Sequence, residues 1–294
     1  MKIKLLLPLA VFSIVLLSCS KEEDSVTNSA ELTLQIETPI KEQVPNRTYD
    51  TESRGIYHGI IASGETTSRG KIWINLGNNG LYNASIEMVN GDVYDFALKN
   101  DYYQINTQTE VQFLGTAGKF TVNVSDINAP VVTEVVLNNQ PYFSSVVKNR
   151  NIMAAVSRTG TFSDPVNTSF TGTWNIISDG SITNPNGEGG QTITSVVVTY
   201  NGVMYTDTVM EVFNNGCFGG PGYIPDMDAF EFNAIFAADQ NSMFGGSTSW
   251  ALGVLPFFPQ GYTNLADCTP TSSGTFSWAH PTNGLTRSGT IFID

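Results

Sequence analysis

Positive charge and histidine are scarce in this chain. Its 294 residues carry 14 lysines and arginines against 27 acids, with two histidines, His58 and His280. A formal net charge of −13 argues against nucleic acid as a partner and against adhesion to anionic lipid by surface charge, because both need basic patches. Two histidines are a small supply for acid–base chemistry. The sequence has no Gly-x-Ser-x-Gly elbow, no His-Glu-x-x-His and no Cys-His pairing in a plausible context. Charged residues make up only 14% of the chain, so few stretches can supply a long amphipathic helix. That composition, rich in Gly, Asn, Thr and Ser, points to an all-β protein.

Long apolar runs are missing too. The run Leu5–Leu17, broken by Pro8 and Ser13, is about 13 residues or roughly 20 Å as a helix, short of a ~30 Å hydrocarbon core. Lys2 and Lys4 stand ahead of it. A charged start and a short apolar segment read as an export signal, expected to occupy residues 1–18.

Leu16-Leu17-Ser18-Cys19 resembles a bacterial lipobox, and Lys21-Glu22-Glu23 resembles the surface-export signal of Bacteroidetes lipoproteins. The resemblance covers residues 1 to about 24. It implies lipidation of Cys19, a membrane anchor through that lipid and a place at the outer membrane facing the cell exterior. More than one acyl chain is needed for stable anchoring. Removing residues 1–18 takes away Lys2 and Lys4 and no acid, so the net charge moves from −13 to −15. With Cys19 committed to lipid, Cys217 and Cys268 remain as an even pair in an oxidising compartment. Their disulfide would close a loop of about 50 residues, worth about 3–4 kcal/mol in the chain-entropy picture. The alternative is two unpaired buried thiols.

Residues 19–51 are expected to form the lipidated cysteine and a polar tether, with Leu32-Thr33-Leu34-Gln35-Ile36 as its alternating patch. Asp24-Ser25-Val26 and Asp207-Thr208-Val209 resemble Bacteroides O-glycosylation sites. From Gly55 onward short alternating runs are separated by Asn-Gly turns. Ile72, Ile74 and Leu76 share a face, as do Ala84, Ile86 and Met88, and Tyr94, Phe96 and Leu98. Placing Met88 opposite Tyr94 needs an odd-length loop centred on Gly91. Asn201-Gly202 suits a two-residue hairpin with Tyr200 opposite Val203. Further strands are expected at Val111–Leu114, Lys119–Val124 and Val131–Leu137. Gly160-Thr161-Phe162-Ser163 with Gly172-Thr173 matches Gly274-Thr275-Phe276-Ser277 with Gly289-Thr290, suggesting paired hairpins at the two ends of one β-domain. Val132-Thr133-Glu134-Val135-Val136 also resembles Ile193-Thr194-Ser195-Val196-Val197. The expected architecture is antiparallel, sandwich or barrel-like, in two domains at 52–150 and 151–294, with one large barrel or sandwich as the alternative. The last residues, Gly289 to Asp294, read as a strand finishing the sheet, with no sorting domain beyond.

Three chemistries come into question. Asp226, Asp228 and Glu231, after a glycine-rich stretch, could supply oxygens to Ca²⁺, although the EF-hand pattern is absent and a solvated acidic loop explains them equally. Carboxylate pairs could serve a hydrolase, but their separation is invisible in sequence. Aromatic side chains offer flat faces for sugar rings. Trp73 and Trp174 lie in strand patterns and are expected in cores. Trp250, Phe257, Phe258 and Tyr262 lie in a Pro- and Gly-rich segment, and Trp278 flanks a turn, so these five are the candidate ligand contacts. The leading expectation is therefore a non-enzymatic surface lipoprotein, without a cofactor, binding an extracellular glycan. The alternative is an adhesin or envelope-complex subunit with protein partners, and the third a carboxylate-dependent hydrolase.

Overall fold

The computed structural model describes residues 38–99, 109–151, 154–179, 194–209, 212–214, 230–236, 246–252, 273–279 and 286–294, with the backbone alone between 207 and 286. Among the described residues there is no α-helix. Two single 3-10 turns, Ile40–Glu42 and Arg47–Tyr49, precede eighteen strands in two nine-stranded sheets. All-β, antiparallel architecture is what the scarcity of charge and the alternating pattern predict.

The first sheet holds β1 (Gly55–Ala62), β2 (Arg69–Leu76), β3 (Tyr82–Met88), β4 (Val93–Leu98), β5 (Glu110–Gly115), β6 (Gly118–Asn123), β7 (Val131–Leu137), β8 (Gln140–Pro141) and β9 (Phe143–Asn149). Consecutive strands pair down to β8, and β9 returns to pair with β1. β7 also comes back against β9, so the sheet is a nearly closed barrel. Its interior is filled by the alternating residues read from sequence: Ile72, Ile74, Leu76, Ala84, Ile86, Met88 and Phe96 are buried together. Phe120 closes the core, with ring centroids 5.1 Å from Phe113 and 5.2 Å from Phe96. All eight residues of β1 are buried, because its outer face is covered as well.

The second sheet holds β10 (Val156–Ser163), β11 (Thr171–Ser178), β12 (Thr194–Tyr200), β13 (Val203–Val209), β14 (Val212–Asn214), β15 (Phe230–Phe236), β16 (Gly246–Leu252), β17 (Ser273–Ala279) and β18 (Thr286–Ile293). Here too the first and last strands pair, β10 with β18, and β13 lies against β15. Phe162, Trp174, Ile176, Val196, Val198 and Ile291 are buried on one face. On the other, Ile177 and Val197 pack against Ile60 and Ala62 of β1. Residues 40–294 form one compact unit.

Tyr200 opposes Val203 and Val198 opposes Tyr205, with Asn201 and Gly202 both at positive φ (49° and 74°), a type I′ hairpin as read. The other hairpin does have an odd loop, but Ile86, not Met88, opposes Tyr94. The loop is Val89-Asn90-Gly91, closed by Met88 N donating to Asp92 O at 2.8 Å, with Gly91 at φ 91°. The expected register is therefore displaced by one pair. A two-residue shift keeps every apolar side chain on its own face, so alternation alone could not exclude it.

The two Gly-Thr-Phe-Ser hairpins share their register: Thr161 opposes Thr173 and Phe162 opposes Gly172, while Thr275 opposes Thr290 and Phe276 opposes Gly289. In sequence they are the first and last hairpins of the second half. The pairing of β10 with β18 sets them side by side at the centre of the sheet. Trp174 is fully buried, as expected. Trp73 is only half-buried and stacks on His58 outside the barrel core, at 4.8 Å between ring centroids. Residues 40–54 are folded onto the first sheet: Ile40 is buried, Lys41 bonds Glu87 at 2.9 Å, and Asn78 Nδ2 donates to Val44 O at 3.1 Å.

Candidate functional site

The candidate residues Cys19, Cys217, Cys268, Asp226, Asp228, Phe257, Phe258 and Tyr262 lie outside the described residues. For Glu231, Trp250 and Trp278 the backbone is described. Glu231 is on β15 opposite Phe213 and Ala251. Trp250 is inside β16, opposite Phe232 and Phe276, and Trp278 is inside β17, opposite Thr248 and Arg287. Strand β16 runs on to Leu252, so Trp250 is a strand residue and not the start of an aromatic loop. Among the described residues no three His, Cys, Asp or Glu side chains stand together as a metal-ligand group.

The described residues do bring together a groove that sequence reading missed. It encloses about 420 Å³ between the β1–β2 loop and the β10–β11–β12 face. Its floor is a register row: Thr161 opposes Thr173, and Thr173 opposes Thr199. The neighbouring row is Ser163 opposite Thr171, with Asn201 at its end. The wall is Glu65, Thr66 and Thr67. Alternation explains the row, since Phe162 and Trp174 take the buried face and leave the intervening threonines on the other. Gly172 lets this packing close, because a Cβ there would stand 2.7 Å from the Phe162 ring.

The wall is held by its own polar groups. Ser63 Oγ accepts from the Glu65 and Thr66 amides, each at 3.2 Å, and Thr66 Oγ1 accepts from Ser68 N at 3.1 Å. Thr199 Oγ1 donates to Ser63 O at 3.1 Å, so the floor is bonded directly to the wall. Behind it, Arg69 Nε donates to Asp294 Oδ2 at 2.8 Å, Nη2 donates to Oδ1, and Nη1 donates to Thr67 O at 2.8 Å. A two-point guanidinium–carboxylate pair adds orientation to charge.

Thr173 and Thr199 are buried, Thr161 and Ser163 half-buried, and Thr171, Asn201, Thr66 and Thr67 exposed. Hydroxyls both donate and accept, whereas carboxylates and ammonium groups do one or the other. Glu65 is the single charged residue of the lining. On the next strand, Phe292 opposes Thr161 across β10 and β18 and is 45% exposed. The signal for it was present in Ile291-Phe292-Ile293: a run of three apolar residues in an alternating strand must put one of them outside.

A second polar contact lies deeper between the sheets. His58 Nδ1 stands 3.0 Å from Ile72 O, and Nε2 stands 2.7 Å from Ser157 Oγ. A carbonyl oxygen only accepts, so Nδ1 carries the proton and Nε2 accepts from the hydroxyl. Burial pushes the imidazole pKa down to about 4, and the charges of Lys71 and Arg158 add to that. The pair has the spacing of a base and a nucleophile, but both residues are buried and Nδ1 rests on a carbonyl oxygen. Its role here is to tie β1 to β10.

In comparisons with known proteins, no protein-family model matches the sequence, no curated protein matches it, and no solved structure matches its fold.

Proposed function

We propose that this chain is a non-enzymatic lipoprotein of the outer-membrane surface that captures an extracellular glycan in the groove between the β1–β2 loop and the β10–β12 face. The observation that carries the reading is the set of half-buried Thr161 and Ser163 and exposed Thr171 in the lining, with exposed Phe292 opposite Thr161. A sugar presents hydroxyls around a ring and an apolar C–H face. Threonine and serine hydroxyls complement the first and an aromatic plane complements the second. The lining holds no histidine and no pair of carboxylates, which favours capture over hydrolysis. Placement at the surface rests on the sequence alone, on Leu16–Cys19 and Lys21–Glu23, with Cys217 and Cys268 proposed as a disulfide.

The test is a glycan-array screen of the full chain solubilised in detergent, followed by titration of the hits. Loss of binding in Phe292→Ala and Thr171→Val, with the melting temperature unchanged, locates the ligand in the groove. Loss in Trp250→Ala with the groove variants unaffected moves the site to the aromatic segment. No saturable hit on folded protein removes the glycan reading.

A further inference from the structure

The hydroxyl rows do not stop at the groove. Ser163, in the lining, opposes Thr290 on β18, and Thr290 opposes Thr275 on β17. One register row therefore runs Thr275–Thr290–Ser163–Thr171 across four strands, about 14 Å at the ~4.8 Å strand spacing. The adjacent row runs Phe292–Thr161–Thr173–Thr199, about 7 Å away along the strands. Thr290 and Ser163 are half-buried, while Thr171, Ser288 and Phe292 are exposed. No charged side chain interrupts either row.

This continuity follows from the repeated hairpin. Because β17–β18 has the same Thr–Thr and Phe–Gly register as β10–β11, and β10 pairs with β18, the threonine pair recurs beyond the groove. A single sugar ring reaches only one or two strand spacings. A row of four positions is matched by a chain of rings.

We propose that the ligand is a linear, uncharged oligosaccharide lying across the strands, held in the groove at one end and by Thr290 on β18 at the other, with Phe292, two positions along the same strand, as a stacking face beside Thr290. The inference rests on the glycan reading above and specifies its ligand. The absence of charge along the rows selects a neutral chain over an acidic one, since an acidic polysaccharide would need cationic partners.

The experiment is calorimetric titration of the full chain, in detergent, with oligosaccharide ladders of one to six residues in the glucan, mannan and xylan series. In at least one series affinity is expected to rise by about tenfold or more between monosaccharide and hexasaccharide. Thr290→Val should weaken the hexasaccharide several-fold and leave the shortest ligands unchanged, whereas Thr171→Val should weaken every length. Monosaccharide binding as tight as hexasaccharide binding, or a hexasaccharide indifferent to Thr290→Val, overturns the extended ligand and leaves the glycan reading standing. No binding at any length in all three series overturns both.

Discussion

His58 Nε2 and Ser157 Oγ meet at 2.7 Å although 99 residues separate them. This contact joins β1 of the first sheet to β10 of the second, and it exists only while the imidazole is neutral at Nε2. The folded protein holds this histidine at a pKa of about 4, against about 6.5 in an unfolded chain. Between those values the unfolded chain carries a proton that the native state refuses. The stabilisation is therefore complete above pH 6.5 and fades as the pH falls to 4, by on the order of 3 kcal/mol. Urea unfolding at pH 7 and pH 4.5 should show the loss, and His58→Gln should show a flatter pH dependence. An equal slope in wild type and variant would refute the assignment.

Lys148 acts in the same direction in a higher pH window. Its Nζ donates to Arg54 O and sits 4.6 Å above the Tyr57 ring. Burial pushes its pKa down to about 7, with repulsion from Arg150 adding to the effect. From about pH 7 to 10.5 the unfolded chain binds a proton that the native state lacks, so this group makes stability rise with pH. The thermal midpoint of wild type should gain on that of Lys148→Met between pH 7 and 9.5. Parallel curves would mean that the amine is solvated.

Arg69 and Asp294 form a partly buried pair, with side-chain exposures of 8% and 21%. Removing one partner leaves the other without its counter-charge. Asp294→Ala should cost about 2–4 kcal/mol, and the double variant Arg69→Met/Asp294→Ala should cost less than the two single losses combined. Simple additivity in a denaturation-based double-mutant cycle would show that the contact contributes nothing in solution.

Glu134 adopts φ 55° in β7, where the pairing with β6 slips between Lys119 and Thr121. A left-handed backbone costs a residue with a Cβ roughly 1–2 kcal/mol. Its side chain is exposed, so substitution disturbs little else. Glu134→Gly should be neutral or stabilising by up to ~1 kcal/mol, and Glu134→Val should destabilise. Chemical denaturation of the two variants checks both signs, and a stabilised valine variant would contradict the bulge.

Much of this fold was legible in local pattern. Val131–Leu137 and the Tyr200–Val203 register emerged from alternation and turn chemistry alone, because both are set by neighbours in sequence. The Met88–Tyr94 register failed for the reason that period two is blind to shifts of two. That the two repeated hairpins meet was not legible, because β10 joins β18 across most of the second half of the chain, a closure that no local signal encodes. The groove was harder still. Thr161, Thr173 and Thr199 each look like ordinary strand residues, and their common row depends on two registers plus the approach of a loop nearly a hundred residues earlier. The clue that could be seen was the alternation of hydroxyls with Phe162 and Trp174. Phe292 was visible in the same way, as an apolar residue at an outward position.

The pairing of first and last strands in both sheets also sets an order of assembly. In a chain synthesised from its N-terminus, the first sheet has all its partners once Asn149 has emerged. The second cannot seal until Thr290–Ile293 are available to lie along Gly160–Ser163. Until then the β10 edge stays open, and so do the hydroxyl rows that continue from it. The Thr290–Ser163 and Phe292–Thr161 pairs thus form late, only after the last strand of the second sheet has been made.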